Sequence, residues 1–228
     1  MDLLMDQSSA EFLSRKLGIA VELVIREELE IAVLKPLFES RIGDSLVFKG
    51  GTALRLAYGS PRFSDDLDFS ALGPILEKDF KKTSLAAAKN VPDALLIEAL
   101  AKYHTLFALF QFRIPYIGRP FSMKIEISIR KESWKQGRDY ELKLLSSEVT
   151  NMTVLAQVAT LERLEKDKRK AFEARRQPRD LYDLWFISQK LGREFKPDTA
   201  GFPPSVLRRE LRKYLPRGHW RLIDKWTG

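Results

Sequence analysis

The residues best suited to chemistry are two aspartates in the run Arg62-Phe63-Ser64-Asp65-Asp66-Leu67-Asp68-Phe69. Polar and apolar side chains alternate over Asp66–Ser70, which predicts a half-buried strand with Asp66 and Asp68 on one side. Carboxylates so placed repel each other unless a cation lies between them. A divalent ion there would bridge phosphate oxygens and neutralise charge that develops during phosphoryl chemistry. By itself, Asp-x-Asp is more often the solvated face of an exposed strand. A feature one short loop upstream changes the balance. Leu46-Val47-Phe48-Lys49-Gly50-Gly51-Thr52 reads as strand, double glycine and helix start. Free backbone N–H groups at such a corner attract phosphate, and glycine lets an anion approach closely. The run lacks the Gly-Lys-Ser/Thr ending of a P-loop. Together the two features mark Gly50, Gly51 and Thr52 as nucleotide-phosphate binders and Asp66 and Asp68 as metal ligands. Ser64 either bonds phosphate or caps the approach to the strand. Arg62 either reaches a triphosphate or forms a surface ion pair.

A third carboxylate on a neighbouring strand would complete such a metal cage. Glu126 is the candidate, set between isoleucines in Lys124-Ile125-Glu126-Ile127-Ser128. It then shares a face with Lys124 and Ser128. The other reading is the ordinary exposed face of an amphipathic strand.

The residue inventory agrees with a hard, oxygen-ligated cation, Mg²⁺ or Mn²⁺. There is no cysteine, and the only histidines are His104 and His219. Disulfides, thiolate zinc sites and cysteine nucleophiles are therefore excluded, and neither histidine has neighbours that suggest a triad. The net charge of +8 is unevenly spread, with basic residues clustered at Lys166–Arg179 and Arg208–Lys213. Such clusters attract a polyanion, although a merely solvated surface is the plain alternative. No apolar run approaches the roughly 20 residues needed to span a bilayer. Met1–Asp6 is acidic where a signal peptide would be basic. A cytoplasmic protein without membrane contact is the expectation.

The elements that must position these residues follow from periodicity. Residues 9–40 read as two helices, Ser45–Phe48 as a buried strand and Thr52–Tyr58 as a helix. Residues 74–103 read as mostly helical, broken at Asn90-Val91-Pro92-Asp93 and restarted. Thr105–Pro115 and Ser122–Arg130 read as paired strands around a turn at Tyr116–Pro120. Tyr140–Leu145 and Met152–Leu155 are weaker strand candidates. Helices follow at Thr160–Arg176 and Pro178–Leu191, then a loop over Gly192–Pro204 and a basic helix from Ser205. The expected class is α+β. A mixed-sheet lobe with flanking helices (1–157) precedes a helical lobe (158–228).

Phe48-Lys49-Gly50-Gly51-Thr52-Ala53-Leu54-Arg55 followed by Arg62–Phe69 strongly resembles the AbiEii/AbiGii-type toxin family, within the DNA polymerase β-like nucleotidyltransferase superfamily. The family's later motif is matched by Lys168, Ala171, Arg175, Arg179, Asp180, Leu181, Tyr182, Asp183 and Leu184. The resemblance spans roughly residues 40–190, with both signatures in order. It implies a bilobal nucleotidyltransferase fold in which Lys168 and Asp180, from the helical lobe, face the nucleotide as catalytic residues beside Asp66 and Asp68. A lysine can hold a β- or γ-phosphate, and an aspartate can orient that lysine or an acceptor hydroxyl.

The implied activity moves a nucleoside monophosphate from an NTP to an acceptor, with RNA and plausibly tRNA as that acceptor. The implied role is the toxin of a toxin–antitoxin or phage-defence pair, with a cognate antitoxin as partner. Two alternatives stay open: a kinase-like phosphotransferase acting on a protein or small molecule, and a catalytically inactive nucleotide- or nucleic-acid-binding module. For Asp183 the favoured reading is a structural pair with Arg179 or Arg176. Tyr182 and Trp185 read as core or cleft wall, with base stacking as the alternative. Lys166 and Lys170 belong to a solvated face or contact an acceptor backbone.

Overall fold

The computed structural model describes residues 5–227. Met1–Leu4, on which most of the leader expectation rests, lies outside them. Helix α1 (Gln7–Leu17) opens where the Asp6 carboxylate accepts from Ser9 N–H (2.9 Å) and closes at Gly18, whose φ of 65° makes the left-handed cap. Helix α2 (Val21–Phe38) is buried almost all round and forms the spine of the N-terminal core.

The sheet has seven strands: β1 (Leu46–Lys49), β2 (Leu67–Ala71), β3 (Ala94–Lys102), β4 (Thr105–Phe112), β5 (Phe121–Ser128), β6 (Tyr140–Leu145) and β7 (Val154–Ala159). Their order is β3-β4-β5-β2-β1-β7-β6. Only β2–β5 and β1–β7 run parallel; the other neighbours are antiparallel, so the sheet is mixed. Helices α3 (Gly50–Tyr58) and α4 (Glu77–Asn90) lie between early strands. Helices α5 (Leu161–Arg175), α6 (Pro178–Lys190), α7 (Pro204–Arg212) and α8 (Trp220–Trp226) complete the chain.

Two hydrophobic clusters divide the described residues. One joins α1, α2 and α4 to the sheet through Phe48, Phe69, Phe80 and Phe110. The other gathers α5 to α8 around Leu164, Tyr182, Ile187 and Leu211, and reaches the sheet at Val47 and Ala159. Strand alternation explains the split, because Val47 and Phe48 point to opposite faces of β1.

The α+β class, the mixed sheet and the following helices match the sequence reading. The restarted helix within residues 74–103 does not: α4 stops at Asn90 and Ala94–Lys102 is an edge strand paired with β4. Its Ala, Leu and Glu residues favour helix, but the hydrogen bonds of an adjacent hairpin outweigh that preference. Strand β7 runs from Val154 to Ala159 rather than ending at Leu155, and so carries the sheet across position 157.

Helix α2 also buries three glutamates, Glu27, Glu28 and Glu30. Glu27 is held by Arg55 at 2.5 and 3.1 Å. Glu28 Oε2 has no hydrogen-bond partner among the described residues, and burial pushes its pKa up to about 7. The folded state therefore binds this proton more tightly than the unfolded chain does. The stability it confers is complete below the ordinary carboxylate range and is lost as pH rises through about 7. Glu28→Gln is expected to melt about 2–4 °C higher than the parent at pH 8, a gain of about 1 kcal/mol. Near pH 5 the two should melt together, and melting curves at both pH values check this.

Candidate active site

The glycine corner forms where β1 ends and α3 begins. Gly50 has φ of 83°, a left-handed backbone that strains any residue with a side chain. A Cβ at Gly50 would also lie 2.4 Å from Asp68 Oδ2, and one at Gly51 would lie 2.3 Å from Arg62 Nη2 and 2.7 Å from Ser64 Oγ. The double glycine thus lets Asp68, Arg62 and Ser64 close on the helix start. Thr52 is buried and its hydroxyl donates to Asp66 C=O at 2.7 Å, tying the corner to the aspartate strand. Gly50→Ala is expected to lose about 1–2 kcal/mol of stability from backbone strain and to displace the Asp68 carboxylate. A thermal melt and a transfer assay on that variant check both effects.

Asp66 lies just before β2, and Asp68 lies within it. Strand register sets the neighbours of Asp68. Lys49 on β1 is its partner on one side and Glu126 on β5 is its partner on the other, so all three share a face. Lys124 and Ser128 alternate onto that face as well. Burial raises the Asp68 pKa, Asp66 and Glu126 raise it further by repulsion, and Lys168 and Lys49 oppose them. No three His, Cys, Asp or Glu side chains among the described residues stand close enough to hold a metal alone. The donor chemistry nevertheless fits a hard cation of the magnesium type, which binds one or two carboxylates and takes its remaining ligands from water and substrate phosphates. The mutual repulsion at Asp68 is what such a cation relieves.

The helical lobe supplies the opposing charges. Lys168 on α5 is buried, with Nζ 3.0 Å from Asp180 Oδ1 and 2.6 Å from Asp183 Oδ2. Arg175 donates to both Asp180 oxygens at 2.7 and 2.9 Å. Burial alone would push Asp180 up, but Arg175 and Lys168 hold it below the usual carboxylate range. Asp183 is likewise lowered, with burial outweighed by Arg62 and Lys168. The two aspartates stay ionised and keep Lys168 in place.

Arg62 departs from the reading of a surface ion pair. It is 2% exposed, so its ion pair is internal and not at the surface. Nε and Nη2 donate to the two Asp183 oxygens at 2.7 and 2.9 Å, and Nη1 donates to Phe63 C=O at 2.8 Å. Two of its five N–H groups are left over, and Nη2 lies beside Gly51 at the start of α3. Asp183 pairs with Arg62 and Lys168, not with Arg179 or Arg176. Tyr182 is wholly buried beside Trp185 and Trp226, which excludes it as a base platform.

Two features escaped sequence reasoning. Lys49 faces Asp68 through strand register, and its one signal was its place directly before Gly50. Asp65 is clamped by Arg26 (3.5 Å) and by the Tyr214 hydroxyl, while Phe63 N–H donates to Tyr214 C=O at 2.9 Å. Nothing local in sequence links position 65 to position 214.

A strand, a glycine corner, an aspartate strand and a lysine presented from a helical lobe stand here in the order of one family. The family model for the nucleotidyl transferase AbiEii toxin, of a type IV toxin–antitoxin system, matches residues 32–223. The chain belongs to the AbiEii nucleotidyltransferase toxin family. Solved structures share this chain's fold at low identity. JHP933 from Helicobacter pylori aligns with a TM-score of 0.59 and 22% identity, over 92% of this chain and 94% of that one. A putative nucleotidyltransferase from H. pylori gives 0.59 and 21%, over 92% and 97%. MenT4, a nucleotidyltransferase toxin from Mycobacterium tuberculosis, gives 0.58 and 20%, over 91% and 69%. Curated protein sequences give no match. Among the described residues, no helix of this AbiEii member is long and apolar enough to cross a membrane.

Proposed function

We propose that this AbiEii member transfers a nucleoside monophosphate from an NTP to a hydroxyl of RNA, with tRNA the first acceptor to test. The observation that carries the reading is Asp68. It sits against Gly50 at the phosphate corner, beside Glu126, and within the field of Lys168 from the other lobe. The N–H groups at Gly50, Gly51 and Thr52 bind the phosphates, with Ser64 Oγ beside them. Asp66 and Asp68, with Glu126 alongside, would hold a divalent cation, Mg²⁺ or Mn²⁺. When bound, it supplies charge neutralisation on the triphosphate and lowers the barrier to displacement.

Lys168, fixed by Asp180 and Asp183, stabilises charge that accumulates on the departing pyrophosphate. Rate enhancement comes mainly from alignment and electrostatics, because phosphoryl chemistry asks little covalent work of the protein. On this reading residues 1–157 bind phosphate and metal, and residues 158–228 close over them. The protein works in the cytoplasm and is paired with a cognate antitoxin.

The test is incubation with total RNA, Mg²⁺ and each triphosphate labelled at the α- or the γ-phosphate. Transfer leaves α-label on RNA and none in an Asp68→Ala control. Label arriving from the γ-position instead would establish the kinase-like alternative.

A further inference from the structure

Beside the aspartate loop lies an open groove of about 630 Å³ that the proposed chemistry does not use. Arg26 and Glu22 of α2, Asp65, the Arg119–Phe121 segment and Lys213 at the end of α7 line it. Its floor is built and fixed. Arg26 lies over the Phe121 ring at 4.7 Å and donates to Asp65 C=O (3.1 Å) and Ser122 C=O (2.8 Å). Those two carbonyls belong to the segments that enter β2 and β5, the neighbouring strands that carry Asp68 and Glu126. The groove therefore opens beside the site, one residue from Asp66.

Two exposed cations stand on its rim, together with the exposed carboxylate of Glu22. Arg119 is exposed, and Lys213 is exposed with Nζ giving a single hydrogen bond to Tyr214 Oη at 2.8 Å. The two come from different parts of the chain, the β4–β5 turn and the helical lobe, and converge on the same opening. The geometry points to this groove as the track along which a single-stranded segment of an RNA acceptor reaches the aspartates, its backbone phosphates against Arg119 and Lys213. The inference rests on the proposed transfer to RNA. A cationic groove with a planar group on its floor is the usual construction for single strands, since phosphates supply the affinity and unstacked bases find a flat surface. The Arg26 guanidinium, over the Phe121 ring and fixed by two carbonyls, offers such a surface.

The experiment measures binding of a short labelled single-stranded RNA by fluorescence anisotropy across a salt series. The variants are Arg119→Glu/Lys213→Glu in the groove and Lys166→Glu/Lys170→Glu on the exposed face of α5. The groove pair is expected to bind on the order of tenfold more weakly, while the α5 pair stays within about threefold of the parent. Alanine at both groove positions should lower the slope of log K against log salt by about 1.4, roughly 0.7 per phosphate contact. A duplex of the same sequence should compete poorly. NTP affinity should be unchanged in both groove variants, and melting curves should show each still folded at the assay temperature.

Equal losses in the groove and α5 pairs, undiminished binding by the groove pair, absence of RNA binding by the parent, or equal affinity for duplex would each overturn the inference. Failure of the function is separately visible. RNA binding lost only in the groove variants, with no α-label transferred by the parent, would keep the groove and remove the transferase reading. Transfer that needs Asp68 but ignores Arg119 and Lys213 would do the reverse.

Discussion

Asp68→Asn is expected to lower nucleotidyl transfer by at least about 10³-fold, some 4 kcal/mol of transition-state stabilisation, and at the same time to raise the melting temperature. Both effects have one cause. The Asp68 carboxylate is half-buried, and desolvation together with the nearby Asp66 and Glu126 raises its pKa. In the resting protein, ionising it costs folding free energy, and only a cation with triphosphate would restore the balance. The folded pKa is above the unfolded one, so stability is greatest while the group is protonated and declines as pH rises through the raised value. Asparagine removes that decline. Activity moves the opposite way, because a protonated Asp68 cannot ligate a cation, and transfer should fall as pH drops through the same window. Transfer assays and melting curves, each run across pH, check the pair of effects. An Asn variant with transfer within tenfold of the parent would remove Asp68 from the metal role.

Arg62→Met should be the most destabilising single change near the site, by about 3–5 kcal/mol. Arg62 and Asp183 form a bidentate pair at 3% and 0% side-chain exposure. Removing the guanidinium leaves a buried carboxylate answered by Lys168 alone and frees the Phe63 carbonyl. Breaking such a pair costs more than replacing it whole, so Arg62→Met combined with Asp183→Leu should lose less than the two single losses added together. Denaturant unfolding of the single and double variants measures this. A raised KM for the NTP in the folded fraction of Arg62→Met would show that Arg62 also binds phosphate. The pair also joins the loop before β2 to α6, so its loss should loosen Lys168 and lower kcat in whatever fraction remains folded.

Much of the site was legible because its signals are local. The double glycine is explained by the φ of Gly50 and by the approach of Asp68 and Arg62 to the missing side chains. Alternation placed Glu126 on a face with Lys124 and Ser128, and register then set it beside Asp68. Proline at the first turn of α6 and Thr160 capping α5 mark helices whose ends were readable. The strand Ala94–Lys102 was not readable, since its composition suits a helix and only pairing with β4 decides otherwise. Arg62 could not be assigned either. Its partner is 121 positions away, and a charged residue has no local mark of burial.

Residue order alone carries the inventory: carboxylates without thiols, a glycine corner one loop before an aspartate strand, and two helices bearing Lys168, Asp180 and Asp183. These follow from short-range rules, namely strand period two, helix period 3.6 and glycine's access to positive φ. Tertiary structure alone decided which charges meet. It placed Lys49 and Glu126 on either side of Asp68, gave Asp183 to Arg62 and Lys168, and drew Arg119 and Lys213 to one groove. The physical reason is that ion pairing depends on distance and dielectric in space, which sheet order and lobe packing set and residue spacing along the chain does not.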